Sequence, residues 1–155
     1  MGLQKIVVLG VGNILLQDEG VGIHVIQALQ KMSLPENVDV IEGGTAGLEL
    51  LPLIEDYSHM IVVDAVNAGE KPGTLFRFKP DDVTGFPGNI ETSVHQLGLL
   101  EVLQMGKLIG KLPDTVIIAV QPKSFDWGME LTPELQAKMP QIIDLVFKEI
   151  EKINK

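Results

Sequence analysis

Cysteine is absent from this 155-residue chain. Disulfides, thiolate metal sites and cysteine nucleophiles are therefore excluded. Cations are scarce, with 12 Lys and Arg against 21 Asp and Glu and a net charge of -9. That balance disfavours a nucleic-acid backbone or an anionic membrane surface as partner. By itself it does not specify a cationic one, because most surface carboxylates only aid solubility. No apolar run reaches the length of a membrane span, since Gly and Asn interrupt the N-terminal one. That run also lacks a positive leader and a small-residue cleavage site, so a cytoplasmic location is expected. The four serines, Ser33, Ser58, Ser93 and Ser124, sit in no G-x-S-x-G turn. A G-x-x-x-x-G-K-[ST] loop and an H-E-x-x-H pair are missing as well. There are no internal repeats and no low-complexity segment.

The length suits a single domain over residues 1–155 with one sizeable core. Lys5–Gly10, Met60–Asp64 and Thr115–Val120 are short, almost wholly apolar runs, the pattern of strands buried on both faces. Val38–Glu42 is also strand-like. Thr74–Phe78 alternates, which suits an edge strand. The short connection before it cannot hold a crossover helix, so this strand should run antiparallel to Met60–Asp64. Helical spacing predicts a helix over Gly20–Met32, a short one through Leu48, Leu51 and Ile54, and a third from Thr92 or Ser93 to Met105. Pro80–Ile90 reads as an irregular loop. Thr132-Pro133-Glu134 carries an N-cap, a first-turn proline and an early acid, opening a last helix that Pro140 should kink near its start. Strands alternating with helices predict a three-layer α/β/α sandwich around a mostly parallel, five-stranded twisted sheet with one antiparallel edge strand. Ligands in such folds bind at the carboxyl ends of the strands.

Two readings compete at the first strand exit, LGVGNILLQDEGVGIHVIQAL. Gly10-Val11-Gly12 after a strand begins a dinucleotide fingerprint, but its third glycine position is Leu15. The helix starts too late for its amides to reach a pyrophosphate, and Asp18 and Glu19 repel one. The other reading joins residues at strand ends. Glu19 follows the first strand, Asp64 ends the third, and His95 opens the third helix. If the first and third strands are neighbours, their ends lie about 5 Å apart. Two carboxylates and an imidazole then suit a borderline divalent metal such as nickel or zinc, with open positions. Each residue also has a plain structural reading. Asp18 and Glu19 suit a helix start, Asp64 a turn, and His95 a backbone-bonded helix start. His24 and His59 read as structural. Glu42-Gly43-Gly44-Thr45 ends the second strand at the same edge. There Glu42 is a candidate general base, and Gly43, Gly44 and Thr45 a groove wall or merely a turn. Trp127, the lone tryptophan, is a candidate groove residue or a packing residue.

The stretches GVGNILLQDEGVG, EGGTAG, VVDAV and HQLGL, in this order, and QPKSFDWGMELTP before the last helix, resemble successive motifs of the hydrogenase maturation proteases. These endopeptidases trim the C-terminal extension from the large subunit of nickel–iron hydrogenases. The resemblance spans nearly the whole chain. It implies that Glu19, Asp64 and His95 contact the metal, and that the metal is nickel already carried by the substrate precursor. Zinc or cadmium would suit the same ligands. It further implies that cleavage waits on nickel insertion. Many relatives have Asp where this chain has Glu42, so the carboxylate here reaches one methylene further. A nucleotide-binding Rossmann-like module and a metal-assisted hydrolase of small molecules are the alternative functions.

Overall fold

A computed structural model describes residues 4–80 and 94–155. Five strands, β1 (Ile6–Val11), β2 (Val38–Gly44), β3 (His59–Ala65), β4 (Leu75–Phe78) and β5 (Asp114–Val120), form one sheet in the order β2-β1-β3-β5-β4. β1 pairs in parallel with β2 and β3, and β3 with β5. Only β4 is antiparallel, and its partner is β5, with Leu75 opposite Val120. The edge strand thus runs opposite to β3, as its sequence predicts, but β5 lies between the two.

Helices α1 (Val21–Gln30) and α5 (Met139–Ile153) cover one face of the sheet, and α2 (Leu51–Ile54) and α3 (Val94–Leu108) the other. Alternation along each strand feeds both layers. Ile6 and Val8 of β1 pack with Val21, Val25, Ile26 and Leu29 of α1, while Val7, Leu9 and Val11 pack with Ile54 of α2 and Leu99, Val102 and Leu103 of α3. All six residues of β1 are buried, which explains why its sequence is a run of apolar residues. Helix α5 buries only Met139, Ile142, Val146 and Ile150 among its apolar residues, at spacings of three and four that make one stripe.

Two sequence expectations are corrected here. The first helix starts at Val21, after a 3-10 turn over Gln17–Gly20. The last helix is two: α4 (Pro133–Gln136) ends before Pro140, which lies in the first turn of α5 instead of kinking a continuous helix. Thr132 does occupy the N-cap position of α4, but its side chain makes no cap bond. The expected caps Thr92 and Ser93, and most of the Pro80–Ile90 loop, lie outside the described residues. No helix among the described residues is long and apolar enough to cross a membrane.

Candidate active site

Strand order decides where a ligand can sit. From β1 the chain goes out to β2 on one side, then returns through α2 to β3 on the other side of β1. The β1–β3 boundary is therefore the point where the winding reverses, the place at the carboxyl edge where open α/β sheets bind their ligands. Gly10 of β1 pairs with Val63 of β3, so the exits of the two strands are side by side. Asp64 follows Val63 directly and is only 1% exposed. One of its oxygens accepts the Ala65 backbone N–H at 2.8 Å. By strand alternation it shares the sheet face of Met60 and Val62, which is the face under α3.

Glu19 is half-buried in the 3-10 turn, and that turn packs against β3. Its position depends on Gly12. There the backbone takes φ +133°, and a Cβ would lie 1.8 Å from the Glu19 carbonyl oxygen. Gly22 plays the matching part at the start of α1, where a Cβ would sit 2.3 Å from the Val63 carbonyl. The glycines of this turn thus let the chain lie on itself. Gly12 is thus required by the turn's own packing against the backbone of Glu19, and no phosphate is needed to account for it.

His95 is the second residue of α3. The C-terminal end of α3 leads through a short connection to Asp114 at the amino edge of the sheet. Its 15 residues rise about 22 Å back along the sheet, so the helix start lies toward the carboxyl edge, over the face that bears Asp64. The side chain of His95 lies outside the described residues. Among the described residues no three His, Asp or Glu side chains form a metal-holding group.

Glu42 is placed differently. It is exposed, and its carboxylate accepts a 3.3 Å hydrogen bond from Gln27 Nε2 of α1. It therefore lies toward the α1 face, opposite the face of Asp64. Gly43 is buried against Leu9, where a Cβ would meet Leu9 Cδ1 at 2.9 Å. Gly44 accepts the Gly12 N–H at 2.8 Å, which ties the second strand exit to the first. Thr45 is exposed just beyond. Trp127 is 80% exposed, so it is a surface residue and takes no part in the core.

Sequence reasoning missed two buried polar residues that shape this edge. Asp18 has no exposed surface. Its carboxylate accepts the backbone N–H groups of Lys123, Ser124 and Thr132 at 2.9, 3.1 and 2.9 Å, and the Thr132 hydroxyl at 2.8 Å. The adjacent acid of the Asp18-Glu19 pair thus fastens the 123–132 loop to the turn that carries Glu19. This also explains why Thr132 does not cap α4. Gln121, 4% exposed, orders the segment after Asp64. Its Oε1 accepts the Ala68 and Glu70 N–H groups, and its Nε2 donates to Asn67 Oδ1 and the Pro122 carbonyl. The sequence carried no signal for either role, because the partners of Asp18 and all but Pro122 of those of Gln121 are far away along the chain.

His24 and His59, both read as structural, lie in the first turn of α1 and at the amino edge of the sheet. Burial holds the His24 imidazole below its ordinary range, against the raising effects of a hydrogen bond with the Met129 backbone and of the Asp18 charge. Its Nε2 is buried without a hydrogen-bond partner. His59 starts β3 at the amino edge, 3.7 Å from Asp114.

Comparison with known proteins gives this geometry its context. Residues 23–149 match the family model described as hydrogenase maturation protease. The chain is 39% identical over 144 residues to the hydrogenase expression/formation protein HupD of Bradyrhizobium diazoefficiens, covering 91% of this chain and 75% of that protein. It is 38% identical over 145 residues to the hydrogenase 2 maturation protease of Escherichia coli, covering 92% and 88%. The solved structure of the hydrogenase maturating endopeptidase HybD from E. coli superposes with a TM-score of 0.87 at 35% identity, covering 96% of this chain and 93% of that one. With a family model that matches most of the chain and relatives that agree over more than nine-tenths of it, the chain belongs to the hydrogenase maturation proteases, a family of peptide-bond hydrolases.

Proposed function

We propose that this protein removes the C-terminal extension of a nickel–iron hydrogenase large-subunit precursor after nickel has been inserted. The observation that carries this reading is the meeting of the Glu19 turn with Asp64 at the β1–β3 switch point, in a chain of this family. Two carboxylates at one strand boundary favour a divalent cation over an anion. Nickel in this scheme arrives as part of the substrate. Glu19, Asp64 and His95 grip it, which registers the precursor segment so that its scissile carbonyl lies beside the ion. The same ligand chemistry accommodates zinc or cadmium. The ion supplies Lewis acidity, either to the carbonyl or to a water. Glu42 faces α1 through Gln27 and is not assigned the general base. The Gly43–Thr45 turn borders the crevice on the β2 side. We place the reaction in the cytoplasm.

The test compares nickel-loaded with nickel-free precursor and follows precursor mass. Only the loaded form should shorten, and equal trimming of both would sink the nickel-reading mechanism. Glu19→Gln, Asp64→Asn and His95→Ala should each lower trimming at least about a hundredfold while the fold persists, the usual size of effect when an essential charged group is removed from a reacting centre. Glu42→Gln should stay within about threefold of the parent, within the usual range for an exposed side chain.

A further inference from the structure

The loop between β5 and α4 exposes more apolar surface than a connection needs. Phe125 is 41% exposed, Trp127 80% and Met129 60%, and Leu15, on the segment bonded to them, is 46% exposed. Single exposed apolar residues are ordinary, but four on two joined segments are not. The loop is also pinned along its length. Gly128 donates to the Leu15 carbonyl at 2.9 Å and accepts from Gln17 N–H at 2.9 Å. Asp18 holds the backbone of Lys123, Ser124 and Thr132. A buried carboxylate thus fixes the backbone on both sides of the exposed apolar residues. Such pre-organisation lowers the ordering cost of binding. Asp126 and Glu130 alternate with the apolar residues along the sequence and are exposed.

We infer that Leu15, Phe125, Trp127 and Met129, rimmed by Asp126 and Glu130, form a docking surface for the protein substrate. It engages a segment of the precursor in which apolar side chains lie beside Lys or Arg. Two features select that occupant. The acids at the rim complement a basic segment. The surface adjoins the turn of the candidate active site along the chain, because Leu15 precedes Glu19 by one short stretch and Gly128 is bonded to both Leu15 and Gln17. A substrate seated there lies next to the turn that carries Glu19. The inference rests on the proposed substrate but not on how the metal acts.

Trp127 is the only tryptophan in the chain, so 5-fluorotryptophan labelling yields one fluorine resonance that reports on this surface alone. Adding nickel-free precursor to the labelled protein should shift or broaden that resonance in a saturable way. In the trimming assay with nickel-loaded precursor, Trp127→Ala should raise KM about tenfold with little change in kcat, and Trp127→Phe should recover most of that loss. Reversing the rim with Asp126→Lys and Glu130→Lys should raise KM as well. An unmoved resonance at saturating precursor, or an unchanged KM in Trp127→Ala, overturns the docking surface and leaves the nickel mechanism standing. Equal trimming of nickel-free precursor has the opposite meaning, since the Trp127 readouts survive it. A shift that tracks the protease's own concentration, with no precursor present, overturns the assignment in favour of self-association.

Discussion

Asp18 and Glu19 are neighbours with opposite placements. Asp18 is wholly buried and surrounded by donors, while Glu19 is half-buried in a turn against β3. Asp18 Oδ2 alone accepts the Lys123 and Ser124 N–H groups and the Thr132 hydroxyl, and Oδ1 accepts the Thr132 N–H. An amide cannot replace this carboxylate, because in either orientation its NH2 group faces a donor. Asp18→Asn, though nearly the same shape, should therefore destabilise the protein by about 2 kcal/mol, and Asp18→Ala by about 3 kcal/mol, since each leaves buried N–H groups without an acceptor. Urea unfolding midpoints measure both. A variant as stable as the parent would show that the loop is held by its other bonds. Gly12 makes the complementary case. Gly12→Ala forces a Cβ onto the Glu19 carbonyl at a left-handed φ, and its cost should be at least about 3 kcal/mol by the same measurement.

Among the elements, the edge strand β4 has one notable tie to the helical layer. Arg77 Nε donates to Glu149 of α5, and Arg77 Nη2 donates to its other oxygen at 3.2 Å. Arg77 is 44% exposed and Glu149 only 7%, so solvent screens one side of the pair. The Arg77 bond and charge, followed by Lys152, hold the Glu149 carboxyl below its usual range against the opposing effect of burial. A depressed carboxylate contributes stability that is fully present above its ordinary pKa. That stability is lost as pH falls through the depressed value. Unfolding midpoints measured from neutral to acid pH should thus fall through and below the ordinary glutamate range. Glu149→Gln should be less stable at neutral pH and show a shallower decline. Parallel pH profiles for the two proteins would mean that the pair contributes nothing to folding.

For the molecule as a whole, charge and substrate choice are linked. A net charge of -9 repels acidic partners and draws basic ones from a distance. If the precursor presents a basic segment to the Asp126–Glu130 rim, its association slows as salt screens the attraction. Raising ionic strength from about 0.01 M to about 0.15 M shortens the Debye length from about 30 Å to about 8 Å. Association measured by stopped-flow should slow several-fold over that range, with a smaller effect on dissociation. An association rate indifferent to salt would count against a basic segment.

Much of this organisation was legible in the chain before folding was considered. Apolar runs bounded by Gly, Asp or Asn located β1, β3 and β5, because a strand covered on both faces must be apolar throughout. Residue types at strand exits singled out Glu19 and Asp64, and the motifs pointed to the family. Tertiary structure alone decided the rest. Only the strand order reveals that β1 and β3 are neighbours and that the chain reverses between them. Only packing shows that Gly12 makes room for Glu19, that Glu42 faces α1, and that Asp18 binds a loop more than a hundred residues away. The division has a physical cause. Burial patterns are periodic along the chain and so are written into it locally, whereas hydrogen-bond partners and neighbouring strands are chosen in three dimensions among residues that sequence spacing does not relate.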